Sequence, residues 1–161
     1  MNVVIRGAWE IKVNNERDIL DDIYLRLYPN AEHYEEGETR IDAVTVDGDA
    51  VDFIFEDVSR TVLQVLLSTP LPPDSRTVLQ IDFSVTVPRR SDRFGYDQGV
   101  MSLGHWYPML AVYDDEGWNI EVAPPMGDVV YTDASFYIVR VTAPAKQSWN
   151  YSRPILNRAT S

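Results

Sequence analysis

The chain has 161 residues, of which 25 are acidic and 14 basic, and its formal net charge is −11. A surface this acidic repels phosphate backbones, so nucleic-acid binding is excluded as a leading function. Hydrophobic residues make up 45% of the chain and cysteine is absent, so one folded domain with a real core is expected, without disulfides or thiolate metal sites.

Alternation of polar and apolar residues predicts short strands along most of the chain. In chain order, the predicted strands are residues 4–15, 23–28, 41–46, 51–55, 61–67, 77–87, 109–113 and 135–141. Asp47-Gly48, between two of these runs, is typical of a two-residue hairpin turn. The proline-rich stretch 68–75 predicts a bend, and residues 31–39 and 89–98 predict polar loops.

Many short strands, with no amphipathic helix longer than two turns, predict an all-β fold. Parallel strands would need intervening helices, so we expect an antiparallel β-sandwich with short connecting loops. The sandwich is expected to occupy residues 1–144. Residues 145–161 lose the alternation and are predicted to form a loosely ordered tail.

The N-terminus alternates polar and apolar residues and has no continuous hydrophobic region, so no signal peptide is recognised there. No apolar run approaches the roughly 18 residues that a membrane span requires. The sequence therefore favours a cytoplasmic protein that does not enter the membrane.

The chemistry-bearing motifs are few. The two histidines, His33 and His105, lie far apart and neither belongs to an HExxH pattern, so no zinc site is predicted. The sequence has no GxSxG motif and no phosphate-binding glycine motif. Ser102 lies three residues from His105, and on a strand these two side chains would point to opposite faces, so they are not expected to act as a catalytic pair. The acidic turns 47–49 and 114–117 supply oxygen ligands, but tight turns favour the same residues. No catalytic residue and no metal ligand is predicted.

The most aromatic stretch, residues 99–118, poses the main question about function. Its candidate site residues are His105, Trp106, Tyr107, Tyr113 and Trp118. They could form a stacking platform for a glycan, a peptide or a partner protein, or they could be packed core. Neighbouring residues of a strand face opposite ways, so we expect Trp106 and Tyr107 on opposite surfaces and prefer core packing.

Several segments, taken in order, resemble the N-terminal β-sandwich domain of the M1 (gluzincin) zinc aminopeptidase family, in particular its divergent bacterial members. The resemblance covers roughly residues 3–144, and LGHWYP followed by an acidic turn is its most specific part. The segments are LYPNA at 27–31, VTVDG at 44–48, LLSTPLPPDS at 66–75, DFSVTVP at 82–88, RFGYDQGVMSLGHWYPMLAVYDDEGW at 93–118 and PPMGDVVYTDASFYIVRVTAP at 124–144.

The resemblance implies a noncatalytic domain that packs on a catalytic domain and helps to shape its peptide-binding cleft. In that family the catalytic domain carries HExxH and GxMEN-type motifs. Neither motif occurs here, so zinc is expected only in such a domain and the chain is expected to be inactive by itself. A loop before the WYP-like segment lends the family's substrate pocket a glutamine or glutamate, and Gln98 matches it by position.

Two kinds of partner follow from this interpretation. One is a catalytic domain, and the other is a second copy of the chain that covers an exposed apolar face. The alternative function is a stand-alone binding module that uses the aromatic residues to hold a peptide, a glycan or a partner protein.

Overall fold

A computed structural model describes residues 3–121 and 130–133. Its regular elements are almost all strands, with two short 3-10 turns at Tyr28–Asn30 and Glu32–Tyr34. The strands are β1 Val3–Asn15, β2 Leu20–Arg26, β3 Glu38–Val46, β4 Asp49–Ala50, β5 Phe53–Phe55, β6 Val62–Leu71, β7 Ser75–Val87, β8 Phe94–Asp97, β9 Val100–Leu103, β10 Met109–Leu110, β11 Tyr113–Asp114 and β12 Gly117–Trp118.

Two four-stranded antiparallel sheets form the body of the described residues. The first has the strand order β1-β7-β3-β4 and the second β10-β2-β6-β5, while β8–β9 and β11–β12 are separate hairpins. One core cluster joins side chains of both sheets, among them Ile81 and Phe83 of the first and Ile23 and Leu63 of the second. The predicted all-β antiparallel sandwich is therefore confirmed. The predicted strand 135–141 and the tail 145–161 lie outside the described residues.

The longest alternation in the sequence forms the central strand of the first sheet. β7 pairs with β1 on one side and with β3 on the other. Its inward-facing side chains are all buried: Thr77, Leu79, Ile81, Phe83, Val85 and Val87. Each apolar side chain of this size contributes about 1.5–3 kcal/mol when it is fully removed from water, so this row anchors the sandwich.

The chain between residues 47 and 55 differs from the prediction. Asp47 and Gly48 form the expected two-residue turn, with φ angles of 50° and 94°, and Val46 pairs with Asp49. The return strand, however, is divided. β4 stays in the first sheet, whereas β5 pairs with β6 in the second. Local alternation does not say which sheet a residue joins, because both sheets present the same pattern.

Two loop predictions also need correction. β6 continues through Pro70, so the bend is limited to the three residues before Ser75. Proline fits because the pairing of β6 with β2 is irregular between Leu66 and Leu71, where no ladder hydrogen bond is lost. The predicted loop 89–98 ends in β8, which forms a hairpin with β9.

The buried side chain of Asn15 ties together two of the connections that cross between the sheets. Its Nδ2 donates to the carbonyl oxygens of Leu71 and Pro72 at 2.9 and 3.0 Å, and to that of Asp18 at 2.6 Å. The β1–β2 and β6–β7 connections are thereby held against each other. A buried amide satisfied by carbonyls of both crossings fixes their relative position.

We expect Asn15→Ala to lower the free energy of unfolding by about 1–3 kcal/mol, because buried carbonyls would lose their donor. The neighbouring Asn14 is exposed and provides the matched control. Urea denaturation of both variants measures the difference. An equal loss of unfolding free energy in Asn14→Ala and Asn15→Ala would show that the hydrogen bonds of the Asn15 side chain do not stabilise the fold.

Candidate functional site

The segment between β9 and β10 carries three of the five candidate residues and is not a strand. The Trp106 ring lies 5.9 Å from the ring of Phe83, and the Tyr107 ring lies 4.9 Å from that of Trp9. The rings of Trp106 and Tyr107 are themselves 6.1 Å apart and nearly perpendicular. The prediction that they face opposite surfaces is therefore wrong, because strand geometry does not apply to this segment.

A glycine of β1 makes room for this packing. Gly7 of β1 is opposite Phe83 of β7 in the register of the first sheet. A Cβ atom on Gly7 would come within 2.6 Å of Cζ of Phe83, so the phenyl ring lies across β1 at this point. Trp106 then packs against the same ring. Trp106 and Tyr107 therefore pack against adjacent strands of the first sheet, as core packing predicts.

His105 contacts a tyrosine ring that also faces a buried arginine. Its ring is 5.7 Å from that of Tyr28, and the guanidinium of Arg26 lies 5.2 Å from the centre of the same tyrosine ring. Arg26 is buried and donates from Nη1 to the carbonyl of Asn119 at 3.3 Å. Its Nε has no hydrogen-bond partner among the residues that the structure describes. The tyrosine ring faces the arginine, an arrangement that stabilises a cation held away from water.

Burial lowers the pKa of His105 from its ordinary value near 6.5, and the charge of Arg93 lowers it further. The imidazole is therefore held neutral near pH 7. Within the described residues, no hydrogen bond joins His105 to Ser102. The arrangement offers a neutral ring that contacts the ring of Tyr28, rather than a base paired with a nucleophile.

The other two candidates, Tyr113 and Trp118, belong to the β11–β12 hairpin. Their rings are 5.0 Å apart, and Trp118 also contacts the ring of Tyr24 on β2 at 5.8 Å. The Tyr113 hydroxyl donates to Asp18 at 3.2 Å. Among the described residues no ring contact joins this pair to His105, Trp106 or Tyr107. The five candidates thus form two groups instead of one platform.

The acidic turn of the β11–β12 hairpin is stabilised by hydrogen bonds from nearby residues to one of its own carboxylates. Asn119 donates to the carboxylate of Asp114 at 2.8 Å, and the amide of Glu116 donates at 2.9 Å. These two hydrogen bonds lower the pKa of Asp114. The carboxylate therefore shapes the turn, as the preference of tight turns for such residues predicts.

Gln98 lies at the tip of the β8–β9 hairpin. Gln98 and Gly99 have φ angles of 47° and 81°, so they form a two-residue turn between the paired Asp97 and Val100. The side chain of Gln98 is exposed and donates to the carboxylate of Asp97 at 3.4 Å. Val100 and Met101 beside it are apolar yet 67% and 38% exposed. The hairpin therefore presents an amide and two apolar side chains to the surface.

Metal-ligating side chains are not grouped in residues 3–121 and 130–133, where no three histidine or acidic residues could hold one ion. Both oxygens of Asp47 accept hydrogen bonds from β7, from the Thr77 hydroxyl at 2.8 Å and the Val78 amide at 2.9 Å. That carboxylate secures the hairpin turn. No helical segment in the described part of the chain has the length and hydrophobicity to span a membrane.

An open groove of about 640 Å³, which the sequence did not indicate, lies between the second 3-10 turn and the segment after β7. Arg90 is already engaged there, since it donates to the His33 carbonyl and to Asp92 and lies 5.4 Å from the Tyr34 ring. The groove contains none of the five aromatic candidates. Its full lining is Tyr34, Glu35, Glu36, Pro88, Arg89, Arg90, Ser91 and Tyr96.

The comparison with known proteins finds similar solved structures but no matching family model and no matching curated protein. Similar solved structures include the M1 zinc metallopeptidase from Deinococcus radiodurans, with a TM-score of 0.41, 23% identity and 54% of this chain covered. A mutant of that enzyme bound to a Tyr-Ser-Ala substrate has a TM-score of 0.42, 21% identity and 60% coverage. The chain spans 17–18% of the length of these enzymes.

The lowered pKa of His105 predicts a pH-dependent stability. Between the ordinary value near 6.5 and the lower folded value, the unfolded chain binds more protons, so stability falls as pH drops through this window. We expect the free energy of unfolding to fall less between pH 7.5 and 5.5 in His105→Asn than in the original chain. Asparagine suits the site because it tolerates the φ of 53° at this position.

His33 provides the control for this measurement, since burial and Arg90 also lower its pKa. His33→Asn removes only the contribution of His33 to the pH dependence of stability and leaves the contribution of His105 in place. Urea titrations of both variants at each pH separate the two contributions. An undiminished pH dependence in His105→Asn would contradict the assignment.

Proposed function

We propose that this chain is a noncatalytic β-sandwich domain that packs against a zinc-aminopeptidase-type catalytic domain and helps to wall its peptide-binding cleft. The observation that carries the proposal is the ordered set of segments shared with the N-terminal domain of the M1 family, above all LGHWYP at 103–108. In this proposal the zinc ion and the reacting groups belong to the catalytic domain.

The packing of the shared segment supports a structural role. Trp106 and Tyr107 contact Phe83 and Trp9 of the first sheet, and His105 contacts Tyr28. These side chains are used within the sandwich, and burial keeps the one histidine among them neutral. This packing supports a framework role for the residues that carry the resemblance, as expected for a domain that supports a neighbour's chemistry.

The β8–β9 hairpin is the surface that we assign to contact with the catalytic domain. Exposed apolar side chains are costly in water unless a partner covers them, and Val100 and Met101 are both exposed on this hairpin, one on each of its faces. Gln98, between them and β8, would then face the cleft and accept a hydrogen bond from the substrate's free amine through its side-chain carbonyl. An exposed amide at a tight turn has both the reach and the polarity for this role.

Zinc titration and an arylamidase assay test the noncatalytic role. We expect no stoichiometric zinc binding and no hydrolysis of aminoacyl-arylamides above the buffer rate. The Deinococcus radiodurans enzyme serves as the positive control for the assay. Tight one-to-one zinc binding, with turnover that His105→Ala abolishes, would overturn the proposal.

A stand-alone binding module is the second candidate, and the edge-to-face pair Tyr113 and Trp118 favours it because both rings are only half-buried. Tryptophan fluorescence during titration with peptides and glycans discriminates the two functions. A saturable change that Trp118→Phe removes and Trp106→Phe retains would support the module. An emission spectrum that no such ligand alters is the result expected for the scaffold domain.

A further inference from the structure

The groove between the second 3-10 turn and the segment after β7 is used neither by the scaffold role nor by the aromatic candidates. Its volume of about 640 Å³ is within the range of small-ligand sites, about 300–1,000 Å³. Two glutamates line it from one side, Glu35 and Glu36 after the 3-10 turn, and two arginines line it from the other, Arg89 and Arg90 after β7. The groove therefore has an acidic side and a basic side.

The acidic and basic sides of the groove do not neutralise each other. Arg90 is engaged by its own neighbours, since it donates to a carboxylate and to a main-chain carbonyl. Glu35, Glu36 and Arg89 are exposed, and no ion pair among the described residues involves any of them. Opposite charges that line one groove without pairing can both be satisfied by a ligand that reaches from one side to the other.

Close packing fixes both sides of the groove in advance of any ligand. Gly37, directly after the acidic side, lies so near Pro29 that an added Cβ would come within 2.7 Å of the proline carbonyl oxygen. On the basic side, a Cβ on Gly95 would come within 2.5 Å of the carbonyl oxygen of Arg90. The guanidinium of Arg90 also joins the two sides, because it donates to the carbonyl of His33. A ligand would therefore lose little affinity to ordering the protein.

Glu35, on the acidic side, has a strained backbone. Its φ and ψ angles are 50° and −82°, a conformation that residues other than glycine rarely adopt. Hydrogen bonds within the turn hold it there: the amide of Glu35 donates to the carbonyl of Glu32 at 3.1 Å, and the amide of Gly37 donates to that of Tyr34 at 3.0 Å. Strain that the surrounding structure maintains is concentrated at ligand sites, so it supports a binding role for this side of the groove.

We propose that the groove binds a short peptide with free ends. The α-ammonium group of the peptide lies against Glu35 and Glu36, and its α-carboxylate accepts hydrogen bonds from the guanidinium of Arg89. Charge complementarity selects this class of ligand, because the glutamates repel a simple anion and the arginines repel a simple cation. A neutral glycan would leave both kinds of charge unpaired. A zwitterionic peptide carries opposite charges at the two ends of one molecule.

Peptide binding at the groove goes beyond the scaffold role and does not rest on it, because Gln98, Val100 and Met101 do not line the groove. Binding requires no zinc and breaks no bond, so the results of the zinc and arylamidase experiments leave it standing, and the reverse also holds. The described lining contains no tryptophan. Occupation of the groove is therefore expected to leave the tryptophan emission that tests the aromatic residues unchanged.

Titration calorimetry of the full chain with trialanine tests the class of ligand. We expect saturable one-to-one binding with a dissociation constant of at most about 1 mM, which rises with added salt because the charges are exposed. N-acetyl-trialanine and trialanine amide each lack one terminal charge, so each is expected to bind about threefold more weakly or worse. Glycine is the control for length, since its two charged groups share one carbon atom and cannot reach both sides of the groove.

Substitutions locate the two ends of the peptide. Arg89→Gln is expected to weaken trialanine binding about threefold to fivefold and to remove the difference in affinity between trialanine and its amide. The double change Glu35→Gln with Glu36→Gln is expected to remove the difference between trialanine and N-acetyl-trialanine instead. Each variant thus becomes insensitive to the one terminal charge that it no longer recognises, which a general loss of structure would not produce.

Two sets of control variants make the same charge changes outside the groove. Arg76→Gln is matched to Arg89→Gln, because Arg76 is also exposed but does not line the groove. Glu16→Gln with Glu38→Gln is matched to the double glutamate change for the same reason. We expect the control variants to bind trialanine within about twofold of the original chain, and circular dichroism checks that every variant is folded.

The proposal fails if trialanine shows no saturable binding with a dissociation constant of about 1 mM or less. It also fails if capping either end of the peptide leaves the affinity unchanged, or if glycine binds as tightly as trialanine, since the groove would then not recognise the two ends of a peptide. Equal losses of affinity in Arg76→Gln and Arg89→Gln would place the binding site elsewhere on the chain.

Discussion

The inward-facing row of β7 is the contact on which the rest of the molecule depends. β7 is hydrogen-bonded to β1 along its whole length and to β3 along most of it, so it holds the first sheet together. Its apolar side chains are buried against the second sheet, where Ile23, Leu25, Leu63 and Val65 belong to the same cluster. The gain from removing these side chains from water offsets the conformational entropy lost on ordering both sheets.

The inward-facing row of β7 also determines how the aromatic segment between β9 and β10 packs. Phe83 reaches across β1 because Gly7 has no side chain, and Trp106 packs on Phe83 while Tyr107 packs on Trp9. The segment between β9 and β10 is thereby drawn onto the sandwich instead of presenting a flat aromatic surface. Trp106 and Tyr107 therefore pack on the sandwich, whereas the contact that we propose with a catalytic domain lies at the separate β8–β9 hairpin.

The sequence by itself determined the fold class, the long strands β1 and β7 and the Asp47-Gly48 hairpin, because a period of two and the chemistry of tight turns act between near neighbours. The Gln98-Gly99 turn is equally local, but residues 89–98 are so charged that their strand pattern is obscured. Only the tertiary structure decided that β4 and β5 belong to different sheets and that Trp106 and Tyr107 pack side by side. It also decided that His105 meets Tyr28 beside the buried Arg26. Those outcomes depend on pairing and burial between residues distant in the chain, and local alternation is identical for every sheet and register that such pairing could choose.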